Sequence, residues 1–186
     1  RQSFFMVSST ITSTGFATAD TGEWGNFPQT LLLLLMFVGA CAGSTGGGMK
    51  VSRIMIAFKG AINEIRHVLH PHTVQTVTLD RKKIQKESVN AVCTYIVLYV
   101  FIVIISVLLI SFDNFDSETN FSSVMATINN IGPGLSKVGP VGNFSIFSPL
   151  SKVVLILDML IGRLEIYPML ILLVPNAWRR AAKIKD

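Results

Sequence analysis

The sequence predicts an all-α membrane protein assembled from repeats of a helix, a re-entrant loop and a second helix. Three observations predict it: one uncharged apolar run long enough to span a bilayer, charges segregated to opposite ends of the apolar segments, and two stretches that repeat each other 117 residues apart. Half of the 186 residues are hydrophobic and 15% are charged, against roughly 25% charged residues in soluble proteins.

The uncharged run is "SVNAVCTYIVLYVFIVIISVLLISF", 25 residues from Ser88 to Phe112. As a helix it extends about 37 Å, more than a hydrocarbon core of about 30 Å requires. It lies mid-chain with no small-residue cleavage site after it, unlike a signal peptide. A second uncharged run, Trp24 to Met49, contains "FPQTLLLLLMFVGA". Basic residues separate the two runs, at Lys50, Arg53, Lys59, Arg66, Arg81, Lys82, Lys83 and Lys86, and return in the tail at Arg179, Arg180, Lys183 and Lys185. Asp20, Glu23, Asp113, Asp116 and Glu118 fall on the other side. The positive-inside rule makes residues 50–87 and 179–186 cytoplasmic. The net charge of +5 therefore belongs to membrane topology and not to nucleic acid, since only Phe58 interleaves with the basic residues of the first segment.

Cys41 and Cys93 lie in apolar runs and are expected as small buried hydrophobes, not as a disulfide framework. His67, His70 and His72 in "RHVLHPHTV" have no cysteine or carboxylate cluster beside them, and Pro71 interrupts any helix they share. They are expected at a solvated helix end.

The repeat is read from "STITSTGF", Ser9 to Phe16, against "ATINNIGP", Ala126 to Pro133. The same offset carries Gly25–Phe27 onto Gly142–Phe144, and "MFVG" at Met36–Gly39 faces "MLIG" at Met159–Gly162 after a six-residue slip. Each repeat opens with a semi-polar stretch too short and too rich in Ser, Thr and Asn to span. Such segments read as re-entrant. A glycine turn follows, then an outer loop, then a long apolar segment. Non-helical backbone at membrane depth is tolerated where protein or a water-filled path surrounds it. Its carbonyl oxygens can then replace the water shell of a cation, with glycine allowing the backbone conformations a Cβ opposes. An ordinary outer turn explains either one alone.

Gly43 and Gly48 have P-loop spacing, but Met49 intervenes, Lys50 arrives one position late and Val51 stands where a hydroxyl belongs. A Gly-Ser-Thr stretch inside an apolar run instead suits an unwound segment, although close helix packing through small residues is an alternative. Asp158, Arg163 and Glu165 are charges within the last apolar segment and are functional candidates by position. Glu165 is two residues from Arg163 and cannot share its face, so pairing with backbone or with another helix remains open for it and for Asp158. Lys137 and Lys152 are expected near the outer headgroups.

"TSTGF" (Thr12–Phe16), "NIGPG" (Asn130–Gly134), "AGSTGGGMKV" (Ala42–Val51), "LHPHTV" (Leu69–Val74) and "GRLEIYP" (Gly162–Pro168) resemble the Trk/Ktr/HKT superfamily of potassium transporters, in particular Trk-type membrane subunits. The resemblance implies helix–pore loop–helix repeats around a pseudo-fourfold cation pore in the cell inner membrane. The chain corresponds to the end of the third repeat and the whole fourth repeat. Residues 1–53 would be the pore loop and broken second helix of the third repeat, and 54–87 a cytoplasmic basic linker. Residues 88–178 would be the fourth repeat, with a helix at 88–112, pore helix and filter at 120–134 and a helix at 144–178. Residues 179–186 would be a cytoplasmic tail.

On this resemblance Thr12, Ser13, Thr14 and Gly15 with Asn129, Asn130, Ile131 and Gly132 line a selectivity filter that holds potassium by backbone carbonyls. Gly43, Ser44, Thr45, Gly46, Gly47 and Gly48 form an intramembrane gate loop, and Arg163 reaches into the pore at its depth. Loop carbonyls are natural partners for such a guanidinium. K+ is the transported ion and no cofactor is expected. Expected partners are the remaining repeats of the same polypeptide, a second copy in a homodimer, membrane lipid and a cytoplasmic nucleotide-binding regulatory subunit, with no nucleic acid. The competing expectation is an intramembrane serine hydrolase using Ser44, for which a general base within reach is missing from the sequence. The chain is therefore expected not to be an enzyme.

Overall fold

A computed structural model describes residues 1–39, 41, 43–44, 46–70, 77–79, 82–164 and 166–173. Thr45, His72, Arg81, Glu165 and residues 174–186, with the expectations attached to them, lie outside the described residues. The described chain is largely helical: α1 (Gln2–Ile11), α2 (Asn26–Phe37), α3 (Val51–Leu69), α4 (Lys86–Ile110), α5 (Ser117–Ile128), α6 (Pro149–Leu164) and α7 (Ile166–Leu173). Two short ribbons complete it. Val38–Gly39 (β1) pairs in parallel with Met49–Lys50 (β2), and Thr78–Leu79 (β3) pairs antiparallel with Lys82–Lys83 (β4).

The core centres on α5, which packs against α6, α4 and α2. Its Ser123 and Thr127 hydroxyls return to carbonyls one turn back, so this serine- and threonine-rich helix is buried without orphaned hydroxyls. Around it, α4 turns inward a stripe of Tyr95, Tyr99, Val103, Ser106 and Ile110, at the three- and four-residue steps that keep one helix face. From α6, Ser151, Leu155 and Asp158 follow the same rule. The opposite face of α4 is apolar and exposed, with Val97, Phe101, Ile104 and Leu108 outward, followed by Phe112 in the next turn. With its 3₁₀ extension, Lys86–Asp113, it is the one helix among the described residues long and apolar enough to cross a membrane. Helix association in lipid rests on packing and interhelical hydrogen bonds, since apolar surface gains little by leaving the lipid tails. The Ser106 hydroxyl supplies one such bond, donated to the Asp158 carboxylate at 2.7 Å.

Two boundaries differ from expectation for local reasons. The short helix of the second repeat starts at Ser117 because Asp116 caps it, accepting from the Thr119 N–H at 3.1 Å and the Thr119 hydroxyl at 2.7 Å. The segment expected as one helix over 144–178 begins as a 3₁₀ turn at Phe144–Ile146, becomes α-helical with Pro149 in the first position, and is helical over the described residues 149–164 and 166–173. Cys41 and Cys93 are free and exposed, not buried. Cys93 lies on the outward side of α4, away from the tyrosine-lined stripe.

Asp116→Ala is expected to cost about 1 kcal/mol through loss of the cap, read as a lower Tm in detergent, while Asp116→Asn stays nearer to wild type. The Thr119 hydroxyl, helped by the Thr119 N–H and Lys137, holds the Asp116 carboxyl below its ordinary value. Its stabilisation is thus complete above about pH 4 and lost as pH falls through the lowered pKa. The Ala defect should shrink in acid accordingly.

Candidate functional site

α1 and α5 end in the same way, bond for bond. At the first, the N–H groups of Thr12, Ser13 and Thr14 donate to the carbonyls of Ser8, Thr10 and Ser9. At the second, those of Asn129, Asn130 and Ile131 donate to Met125, Thr127 and Ala126. Every donor and acceptor is displaced by 117 residues. This is a Schellman end, which requires a left-handed residue after the cap. Ser13 has φ 53° and Asn130 φ 52°, and two residues later Gly15 and Gly132 are again positive at 78° and 110°. Positive φ therefore recurs at alternate residues in both turns. The two turns also touch. A Cβ on Gly15 would fall on the Ile131 carbonyl oxygen and lie 3.2 Å from Pro133 Cδ, so glycine is required there by contact as well as by conformation.

Side chains anchor the two turns differently. Thr12 and Thr14 hydroxyls hydrogen-bond each other at 2.7 Å, and Thr12 Oγ1 also donates to the Ser8 carbonyl at 2.7 Å. The first turn is thus secured within itself. The second is tied to its surroundings: Tyr99 Oη donates to Asn129 Oδ1 at 2.9 Å, Asn129 Nδ2 to the Met125 carbonyl at 2.9 Å, and Asn130 Nδ2 to the Met159 carbonyl at 3.2 Å. Gly162 of α6 packs on the Ile128 carbonyl, where a Cβ would collide.

The Gly-rich stretch interrupts the path from α2 to α3. Helix ends at Phe37 and resumes at Val51, and the parallel β1–β2 pairing sends the chain out of the loop in the direction it entered. Gly47 and Gly48 are buried against the second turn. A Cβ on Gly47 would meet the Asn129 carbonyl, and one on Gly48, whose φ is 76°, would meet Asn129 Oδ1. Gly43 also has positive φ, 85°. Lys50 is only 8% exposed, and its ammonium donates to the Ser44 carbonyl at 2.7 Å and the Gly46 carbonyl at 2.5 Å. One of the residues counted as cytoplasmic charge therefore fastens the loop across its own neck. Ser44 Oγ accepts the Gly46 N–H at 3.2 Å, and the ammonium engages the Ser44 backbone instead of its hydroxyl. This arrangement serves a loop anchor, not an activated nucleophile.

Arg163 is exposed in the last turn of α6, one residue beyond Gly162. Asp158 is buried beside Ser106. At the opposite end of α6, Lys152 donates to the Ser145 carbonyl at 3.0 Å, and Lys137 lies 3.7 Å from Asp116 and 5.1 Å from the centre of the Phe115 ring. His67 and His70 are at the exposed end of α3, and no metal-binding group of histidines, cysteines and carboxylates occurs among the described residues. Sequence reasoning missed Lys50 and Tyr99. A tyrosine inside a spanning run was the available signal, because its hydroxyl must find a partner there.

A family model described as TrkH, cation transport protein, matches residues 1–180. The chain is 40% identical over 178 residues to the Trk system potassium uptake protein TrkH of Escherichia coli K12, covering 96% of this chain and 36% of that protein. It is 34% identical over 177 residues to TrkG of the same organism, covering 95% and 36%. The crystal structure of the potassium transporter TrkH from Vibrio parahaemolyticus superposes with a TM-score of 0.85 at 38% identity, over 95% of this chain and 37% of that one. The chain spans little more than a third of the length of these relatives. With one family model matched over nearly its whole length and the glycine turns duplicated bond for bond, the chain belongs to the TrkH family of membrane cation transport proteins.

Proposed function

We propose that this segment supplies two of the ion-coordinating turns and the gate of a potassium-translocating pore. The observation that carries the reading is the pair of touching turns with the same three backbone hydrogen bonds and alternate positive φ at Ser13/Gly15 and Asn130/Gly132. Such turns can offer successive backbone carbonyls to a cation stripped of water, with Thr12 and Asn129 at their inner ends. The relatives' names, potassium uptake proteins, favour potassium as the substrate. The stretch Gly43–Gly48 acts as the gate loop, held by Lys50, with Arg163 as a cation that raises the barrier for potassium. The remaining repeats of the polypeptide complete the ring. A second copy, lipid and a cytoplasmic nucleotide-binding regulatory subunit docking on the basic 50–87 segment and the tail are the proposed partners.

Gly132→Ser tests the filter. No atom lies within 4 Å of a Cβ at this position, so the substitution strains φ without a clash. In the complete polypeptide it should lower potassium-over-sodium selectivity in liposome flux while the protein still folds. Unchanged selectivity would remove the filter assignment. Arg163→Gln should raise potassium flux or weaken its regulation, and Arg163→Lys should stay near wild type. Loss of expression with flux per molecule unaltered would make Arg163 a structural residue.

A further inference from the structure

We propose that Tyr99, acting through Asn129, is a positioning residue that sets the register between the second glycine turn and the Gly-rich loop, and thereby the ion selectivity of that turn. The proposal rests on the filter reading above. Asn129 is 1% exposed and Tyr99 2%, so neither group can exchange its partner for water. The carboxamide has no free rotation: its amide donates to Met125, its oxygen accepts from Tyr99, and the Gly48 backbone packs against that same oxygen. Its own main-chain carbonyl is covered by Gly47. One residue thus carries both the inner end of the turn and the seat of the loop.

Tyr99 is the distant member of this group. It lies 30 residues before Asn129, on α4, and its ring belongs to the inward stripe. Removing its hydroxyl leaves the ring packing intact but strips the Asn129 oxygen of its only hydroxyl donor among the described residues. The carboxamide is then free to turn toward Gly48, and the Asn129 carbonyl moves with it. Among the described residues the first turn is instead bonded locally, through Thr12 and Thr14.

The test uses the complete polypeptide reconstituted in liposomes, with potassium and sodium fluxes measured separately. Tyr99→Phe should reduce the potassium-to-sodium flux ratio by about fivefold, the scale of one net hydrogen bond, with Tm nearly unchanged. Gly48→Ala presses on the same oxygen from the opposite side and should also lower the ratio. The double variant should be clearly non-additive, as expected for groups sharing one partner. Equal loss of both fluxes with an unchanged ratio, or additive effects, would overturn the proposal by making Tyr99 a packing residue. Gly132→Ser serves as the control. A shifted ratio there with none in Tyr99→Phe rejects the positioning role alone, whereas no shift in either rejects the filter reading as well.

Discussion

Gly15→Arg, introduced into the complete polypeptide, is expected to abolish potassium uptake. Three costs coincide at this residue. Its φ of 78° is a left-handed value that side chains resist. Its Cβ would occupy the place of the Ile131 carbonyl oxygen, so the substitution pushes the two turns apart. A guanidinium would then stand beside carbonyls proposed to hold a cation. Gly132→Arg shares the first and third costs but not the second, because open space surrounds that position. Gly132→Arg should therefore reach the membrane in greater amount and fail by charge and backbone strain, whereas Gly15→Arg, which also forces the two turns apart, should lose more folded protein. Rubidium uptake in cells lacking other potassium uptake, normalised to membrane-inserted protein, separates the two. Normal uptake in both variants would exclude these turns from the ion path.

Shortening Gly43–Gly48 is expected to raise potassium flux by about tenfold, equivalent to roughly 1.4 kcal/mol off the barrier. The loop lies against the inner end of the second turn, with Gly47 on the Asn129 carbonyl and Gly48 on its side chain, and Lys50 holds its neck closed through the Ser44 and Gly46 carbonyls. Replacing the glycines by alanine acts differently. It favours helix by about 0.8 kcal/mol for each glycine, and it forces methyl groups at 47 and 48 onto Asn129. The alanine variant should thus alter gating and selectivity together, whereas the shortened loop should chiefly raise flux. Lys50→Met should resemble the shortened loop, since it frees both carbonyls without adding bulk against the turn. If flux and regulation were unchanged in all three, the stretch would be a packing device.

Sequence alone determined what depends on neighbours within a few residues. Uncharged length marked Ser88–Phe112 as a span. The repeat was legible for the same reason. A Schellman end is built from donors and acceptors within six residues, so a duplicated sequence duplicates its hydrogen bonds at the same offset of 117. Only the tertiary structure decided which groups meet across helices: Tyr99 with Asn129, 30 residues apart, Ser106 with Asp158, 52 apart, and Gly47 and Gly48 with the Asn129 turn. It also turned Lys50 from a counted cytoplasmic charge into a buried anchor. Hydropathy and spacing average over a window and record no partner. A hydroxyl, an ammonium or a bare glycine Cα is given its role by whichever backbone the fold brings against it.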